Sequence, residues 1–452
     1  MSEPLAVREA PASYALEVGR ASARYVGLKP DLRAIPQGYK QTEVGVIPED
    51  WDATSLGHLK VLMTNGFVGT ATRHYAPNDN GVLYIQGYNV EENSFNFHGI
   101  KYVTAEFHKV HAKSCLRGGD LLTVQTGDVG LTTVVPDYLA GSNCHALIIS
   151  RFNKQSVSPT FISYYLNSFP GRSRLRLIET GTTMKHLNIG DMLEFPIPLP
   201  PTKAEQEAIA EALSDADALI ESLEQLVAKK RHLKQGAMQE QLTGKKRLLG
   251  FGGEWEVKRL DAVAEIRSGG TPSTNQPAFW DGDVLWCTPT DITALNGFKY
   301  LTQTARMITA QGLKASSAEL IPANSVVMTS RATIGECAIN AAPVATNQGF
   351  KNFVPFEETD GEFLYYLLQT KKQGFISLCG GSTFLEIGKT QLAAFEIELP
   401  KEKVEQTAIA TLLSDMDTEI AALEAQLAKA RGIKQGMMQE LLTGKIRLGT
   451  LR

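Results

Sequence analysis

The chain repeats part of itself. Residues 195–248 align with residues 395–448 at a constant offset of 200 and without a gap, and 32 of the 54 positions are identical. Two copies cannot build a solenoid, which needs about three repeats or more. A pseudo-twofold pair is the remaining picture. Outside the close repeat the halves match weakly: Trp51 corresponds to Trp255, residues 120–130 (DLLTVQTGDVG) to 325–335 (SVVMTSRATIG), residues 162–168 to 364–370, and residues 181–188 to 381–388. Each half is therefore a divergent globular part followed by a near-copied segment.

The copied segment reads as a long helix. Thr202 and Glu205 have capping-box spacing just after Pro200 and Pro201. In the second copy Glu402 replaces the capping threonine, and acidic residues near the start still suit the helix dipole. Apolar residues recur at Ile209, Leu213, Ala216, Ile220, Leu223 and Val227, and at Ile409, Leu413, Met416, Ile420, Leu423 and Leu427. Alternating steps of four and three form the seam of a coiled coil. Gly244 and Gly444 stand where C-terminal caps are expected. At 1.5 Å per residue each rod is roughly 60 Å long, and a lone apolar stripe is unstable in water. Two such rods in one chain can cover each other, and antiparallel packing would put the globular parts at opposite ends.

The globular parts read as mixed α/β. Short β-rich runs (VLYIQGYNV, DLLTVQT, HALIISRF, then DVLWCTPTDI and NSVVMTS) alternate with loops rich in Gly, Asn, Pro and Ser, and helices are expected at 160–168 and 361–372. The expected segments are an N-terminal extension (1–39), a first globular domain (40–201), a first helix (202–248), a second domain (249–400) and a second helix with tail (401–452). The extension has one candidate amphipathic helix at 13–26 and no assigned role.

Composition narrows the class. No apolar run reaches the ~18 residues of a membrane span, and the N-terminus lacks the pattern of a secretory signal. The five cysteines never approach CxxC spacing, so a reducing cytoplasm is the simple expectation. Lys and Arg total 45 against 49 Asp and Glu, a net charge of −4. A protein gripping phosphates by attraction alone should be basic. Nucleic-acid contacts here would have to be local, or shared with a partner.

Catalytic signatures are missing. Gly244-Lys245 lacks the rest of a phosphate-binding loop, and there is no GxSxG elbow, HExxH, EF-hand or methyltransferase-type cofactor motif. His108 and His111 are three apart, but the stretch around them reads as a solvated face. Residues 269–273 (GGTPS) read as a turn-rich loop sooner than a phosphate cradle. Arg172, Arg174 and Arg176 would share one face on a strand and spread round a helix. They serve either surface solubility or phosphate contact. Lys229, Lys230 and Arg231 read as a solvated or Glu-paired rod face, and Trp280, Trp286, Tyr164 and Tyr165 as core anchors. The pattern favours a binding module over an enzyme.

From about residue 37 onward, the chain resembles the DNA-specificity subunit of type I restriction-modification systems. The residues that carry the resemblance are SGGTPSTNQPAFWDGDVLWCTPTDI (268–292), the Leu-Pro before a Glu-Gln-x-x-Ile-Ala helix start in both halves, the two Lys-Gln-Gly…Leu-Thr-Gly-Lys endings, and GYKQTEVGVIPEDW (38–51). The first 36 residues depart from it.

The resemblance implies two target-recognition domains that each read half of a bipartite, asymmetric DNA sequence. It implies an antiparallel coiled coil setting the gap between the halves, and no catalysis by this chain. Two modification subunits would bring S-adenosylmethionine and adenine methylation; motor-nuclease subunits, where present, would bring ATP and Mg. Side chains able to read base edges cluster at Thr70, Thr72, Arg73, His74, Gln125, Thr126, Thr182, Thr183 and Lys185 in the first domain. In the second they cluster at Thr271, Ser273, Thr274, Asn275, Ser330, Arg331, Ser382 and Thr383. Two rivals stay open: a coiled-coil scaffold that binds only proteins, and a DNA methyltransferase with an unrecognised cofactor site.

Overall fold

The computed structural model describes residues 35–77, 80–379 and 385–448. The expected N-terminal helix at 13–26, and the candidates Ser382 and Thr383, lie outside the described residues. The chain divides into two compact units. One comprises residues up to Glu221 together with Ala428 onward; the other runs from Ser222 to Leu427. The division cuts through both long helices, Lys203–Gln241 and Lys403–Leu441. Each unit therefore holds one globular domain, the start of the helix that follows it, and the end of the other helix.

In the first unit, the strands Thr132–Val134, Leu121–Val124, Leu147–Phe152 and Lys60–Asn65 form a four-stranded antiparallel sheet in that order. A three-stranded sheet joins Asn143–Cys144, Val82–Ile85 and Lys101–Val103. The alternation of side chains splits the main sheet between two cores. Leu121 and Ile148 face the helix Pro159–Asn167, whereas Leu122, Val124, Leu147 and Ile149 face the smaller sheet.

The second unit follows the same plan. A five-stranded sheet runs Ala264–Ser268, Phe350–Pro355, Val326–Thr329, Cys337–Asn340, Tyr300–Leu301, and a smaller sheet runs Arg306–Ile308, Trp280–Cys287, Val344–Thr346. The helix Gly361–Thr370 covers the larger sheet. The run DVLWCTPTDI is only half strand: Thr288 and Asp291 form a capping box that opens the helix Pro289–Ala294.

In each domain the entering strand pairs with the leaving one: Asp52–Ser55 with Pro196–Leu199, and Glu256–Arg259 with Glu396–Leu399. The long helix thus leaves from a closed base. Its first apolar positions serve the domain as well as the rod. Ile209 and Leu213 are buried with Trp51, Phe161, Leu441 and Leu442 in one core, and Ile409 and Leu413 with Phe363 and Leu242 in the other. The seam read from the sequence begins as a three-way junction. Further along, Val227 and Ile420 are buried as expected.

The near-identity of the repeat has a physical reason: its polar residues are spent on docking. Gln206 Oε1 accepts from the Ser158 N–H at 2.9 Å, and its Nε2 donates to Pro200 O at 3.2 Å. Gln406 does the same with Asp360 and Pro400, at 2.9 and 3.0 Å. The capping box forms only in part. Thr202 accepts from the Glu205 N–H at 3.2 Å, but the Glu205 carboxylate turns to Arg447. Glu405 turns likewise to Arg247. Each arginine also lies over a tryptophan, Arg447 over Trp51 and Arg247 over Trp255. Gly444 (φ 70°) ends its helix as the sequence predicts, and a Cβ there would meet Pro48 Cγ at 2.5 Å.

Ion pairs set the local direction of the helices within each unit. In the second unit Lys230 pairs with Glu419, Arg231 with Glu424 and Lys234 with Asp417. In the first unit Lys434 pairs with Asp217, and Arg447 beyond the helix end with Glu205. Within the first unit, later residues of one helix segment meet earlier residues of the other, so the paired segments run antiparallel.

Candidate nucleic-acid interface

The candidate residues fall into separate groups. In the first domain, the loop after strand Leu121–Val124 lies beside the loop at 180–187. Thr126 forms an antiparallel bridge with His186, Gln125 Nε2 donates to Leu187 O at 2.9 Å, and the Leu187 N–H donates back to Gln125 O at 3.1 Å. Gln125 is thus half-buried and committed to holding the two loops together. Thr182, Thr183 and Lys185 are exposed on the neighbouring loop, and Lys185 pairs with Glu179 at 2.9 Å.

Thr70, Thr72, Arg73 and His74 belong to a different surface. The turn Thr72–His74 packs on the helix Ala105–Val110: the His74 ring lies 4.9 Å from Phe107, and His74 O accepts from the Thr104 N–H. Thr70, Thr72 and Arg73 are exposed. The stretch around His108 and His111 exposes Glu106, Lys109, Val110, Ala112 and Lys113 as expected, but the two histidines themselves are half-buried. The His111 ring packs 4.5 Å from Phe67 and 4.3 Å from Phe107, and His108 Nδ1 is 3.3 Å from Asn143 Nδ2. These histidines brace the loop, and among the described residues no cluster of His, Cys, Asp or Glu could hold a metal.

In the second domain the loop at 269–276 is held by two tryptophans. Trp286 Nε1 donates to Gly270 O at 3.0 Å and Trp280 Nε1 to Ser273 O at 3.1 Å. The rings meet edge to face at 5.0 Å, and the Arg306 guanidinium lies 3.7 Å from the Trp280 ring centre. A Cβ on Gly269 would sit 1.8 Å from Asn347 O, so only glycine allows this approach. The Gly270 N–H is spent on Thr346 O, which supports the plain loop over a phosphate cradle. Ser273, Thr274 and Asn275 are exposed, and Thr271 Oγ1 bonds the Gln348 side chain.

Ser330 is corrected by the structure. It is fully buried, because it continues the strand Val326–Thr329 on the face that carries Val326 and Met328, and its N–H donates to Gly349 O at 2.7 Å. It cannot meet a base edge. Arg331 is partly exposed and pairs with Glu386 at 2.8 Å across a backbone bridge. The arginines of 172–176 sit on the short helix Phe169–Leu175 and at its end, and spread round it. Arg172 Nη1 donates to Val129 O at 2.9 Å, and Arg174 donates to Glu43 O.

Sequence reasoning passed over Asn347, Gln348, Glu386 and Arg306. Asn347 and Gln348 carried a usable signal, a polar pair before Gly349 at the end of a β-rich run. Glu386 and Arg306 carried none, since only the fold brings them to Arg331 and Trp280.

The architecture is that of a two-domain α/β protein with long repeated helices and two differing polar loop regions. The chain matches the family described as Type I restriction modification DNA specificity domain twice, over residues 71–229 and 252–430, and it belongs to that family. Over 92% of its length it is 26% identical to the putative type I restriction enzyme MjaX specificity subunit of Methanocaldococcus jannaschii, covering 98% of that protein. A 166-residue stretch, 36% of the chain, is 39% identical to the MjaIX specificity subunit of the same organism, but spans only 38% of it. It is also 26% identical over 66% of its length to the EcoR124I/EcoR124II specificity subunit of Escherichia coli, covering 73% of that chain.

Among solved structures, it is similar to the S subunit of a type I restriction-modification system from M. genitalium. The TM-score is 0.54 at 16% identity, over 86% of this chain and 96% of that one. It is also similar to a chain from a study of complex assembly and conformational transition in the type I R-M system, with a TM-score of 0.53 at 19% identity over 88% and 99%. At these identities the likeness shows the fold. Among the described residues no helix is long and apolar enough to cross a membrane.

Proposed function

We propose that this chain is the sequence-reading subunit of a type I restriction-modification complex. Each domain reads one half of a bipartite, asymmetric duplex target. The paired helices set the distance between the halves. Two modification subunits supply S-adenosylmethionine and methylate adenine; motor-nuclease subunits, where present, add ATP- and Mg-dependent cleavage. The chain itself supplies no catalytic group.

One observation carries this reading. Both domains dock on the helices through matching groups, Gln206 and Gln406, Glu205 and Glu405, Asp217 and Asp417, while their polar loops differ. A common frame with two different surfaces suits readout of two different half-sites. The test is a domain exchange. Residues 40–193 are replaced by the equivalent part of a relative, the chain is co-expressed with modification subunits, and methylated motifs are sequenced. One half of the motif should change and the other stay. Methylation by the chain alone would favour the methyltransferase rival. An assembled complex that marks no sequence would favour the scaffold.

A further inference from the structure

A cavity of about 420 Å³ opens in the second domain beside the start of the helix Lys403–Leu441, within the size range of small-ligand sites. It lies at the Ser325 end of the strand Val326–Thr329, whereas the candidate loop with Arg331 follows the other end. Tyr300, Asn324, Glu357 and Lys403 line it and are exposed, so they form its rim. Ser325 also lines it but is only 1% exposed, and its hydroxyl has no hydrogen-bond partner. A buried hydroxyl left unpaired is costly. Here the missing partner has room to enter.

The first domain shows what this corner of the fold can hold. Leu121 stands opposite Ser150 there, and Val326 stands opposite Phe353 in the second domain. One step along each strand, Asp120 therefore corresponds to Ser325, and Arg151 to Val354. Residues opposite each other in an antiparallel pair share a face, and Ser325 and Val354 both line the cavity. In the first domain the same two positions form a closed ion pair. Arg151 Nε donates to Asp120 Oδ1 and Nη2 to Oδ2, both at 2.6 Å, with the carboxylate buried. Gly119 and Asn324, left-handed at φ 83° and 62°, mark the same turn in the two domains. Lys154 leans over that turn in the first, its Cε 2.5 Å from where a Cβ on Gly119 would be; Glu357 takes its position in the second. The second domain thus lacks a buried guanidinium and a lysine, and has an open space with unused acceptors.

The charge of the cavity selects its occupant. Glu357, Asp360 and Glu362 line it, against Lys403 as the one lining cation. Glu362 is already held by Lys299, Tyr300 and Ser414, and Asp360 caps the helix Gly361–Thr370. Lys403 is spent on Glu357 O. The Glu357 carboxylate itself has no hydrogen bond or ion pair among the described residues. Duplex DNA, a polyanion, is repelled by such a wall. A guanidinium suits it, with five donors in a planar fork. We propose that this cavity is a socket for an arginine side chain of a modification subunit, whose guanidinium takes the place that Arg151 fills in the first domain and meets Ser325 Oγ and the Glu357 carboxylate. This rests on the reading of the chain as a specificity subunit. The corner of the first domain is closed by its own arginine. Two identical modification subunits therefore find different seats, and their two binding steps are unequal.

The test uses the full chain with purified modification subunits. Stepwise affinities for the two subunits are measured for the wild type, the paired variant Ser325→Asp/Val354→Arg, Glu357→Lys, and the control Glu358→Lys, an exposed neighbour outside the cavity. The paired variant builds the ion pair of the first domain into the socket. It should fold with an unchanged or higher Tm, weaken one step roughly tenfold or more, and spare the other. Glu357→Lys should weaken the same step, and Glu358→Lys neither. Unchanged steps, equal losses in both steps, or equal effects of the two lysine variants would overturn the inference. If the paired variant does not fold, the contrast between Glu357→Lys and Glu358→Lys decides it. In a second arm, N-acetylarginine amide should shift the backbone amide resonances of Asn324 and Ser325 in the wild type, and its neutral citrulline analogue should not. No shift with the arginine compound overturns the socket. Shifts without any change in subunit affinity would make it a site for free guanidinium compounds and overturn the partner. A wild-type chain that binds no modification subunit would instead overturn the reading of the whole chain, and the amide titration would still judge the socket.

Discussion

Tyr164 donates its phenolic hydrogen to Asp217 Oδ2 at 2.8 Å, and Lys434 meets the other carboxylate oxygen. The second domain repeats the arrangement: Tyr366 donates to Asp417 Oδ2 at 2.5 Å and Lys234 pairs with Oδ1 at 2.5 Å. One aspartate thus ties a domain helix, its own long helix and the end of the other long helix. Burial, reinforced by the bond to the aspartate, pushes each tyrosine well above its ordinary pKa, so the hydroxyl stays a donor throughout the physiological range.

Asp217→Ala should therefore lower stability by about 1–3 kcal/mol, the range for a hydrogen bond to a charged group left without its partner. Asp417→Ala should cost a similar amount. Denaturant unfolding of each variant checks this. Losses no larger than those of surface substitutions would show that the aspartates hold nothing.

Gln206 makes a sharper case because it is 1% exposed. Gln206→Ala leaves the Ser158 N–H without its acceptor at the start of the helix Pro159–Asn167. The expected loss is about 1–3 kcal/mol. Faster hydrogen exchange should appear first in residues 158–167.

These residues also show what could be read from the chain. Glu205, Gln206 and Asp217 are identical in both copies because both copies dock an equivalent domain, so the repeat announced them. Their partners were hidden. Arg447 is 242 residues from Glu205, and Ser158 has no sequence feature that marks it as the neighbour of Gln206. The loop regions were legible as polar loops but not as surfaces. Only the strand alternation of 326–330 shows that Ser330 turns inward while Arg331 turns out.

Acid should loosen the anchoring of residues 442–448. Hydrogen bonds from Arg447 hold the Asp50 carboxyl below its ordinary pKa, with the guanidinium charge adding to them against desolvation. A carboxylate with a depressed folded-state pKa contributes stability above its unfolded value, near 4, and loses it as pH falls through the folded value. Protection of residues 444–448 against hydrogen exchange, taken relative to the intrinsic rate at each pH, should fall below about pH 4. In Asp50→Asn this acid step should shrink. An unchanged acid step would place the titrating group elsewhere.

Trp286→Phe keeps the ring against Trp280 but removes the N–H that donates to Gly270 O. The loop at 269–276 should lose about 1 kcal/mol of local support. On the proposed function, discrimination at the second half-site should fall with it, read by binding to duplexes with either half-site altered. Equal discrimination in the variant would leave Ser273, Thr274 and Asn275 as surface residues with no part in recognition.

The helices as a spacer make the most exposed claim. An insertion in one rod alone would break pairings such as Lys234 with Asp417, so the insertions must be matched. Four residues added after Glu221 and four after Leu427 lengthen both rods by ~6 Å and turn them by ~400°. The docking groups at Gln206, Glu205 and Asp217 are left intact, as are their counterparts in the second domain. At ~3.4 Å per base pair, the methylated motif should keep both half-sites and gain one or two unspecified base pairs between them. Two residues added at the same places turn each rod by ~200°, which carries the apolar seam round to the solvent side. That variant should lose methylation. If both insertions left activity and spacing as they were, the helices would be tethers, and the distance between half-sites would have to be set by the modification subunits.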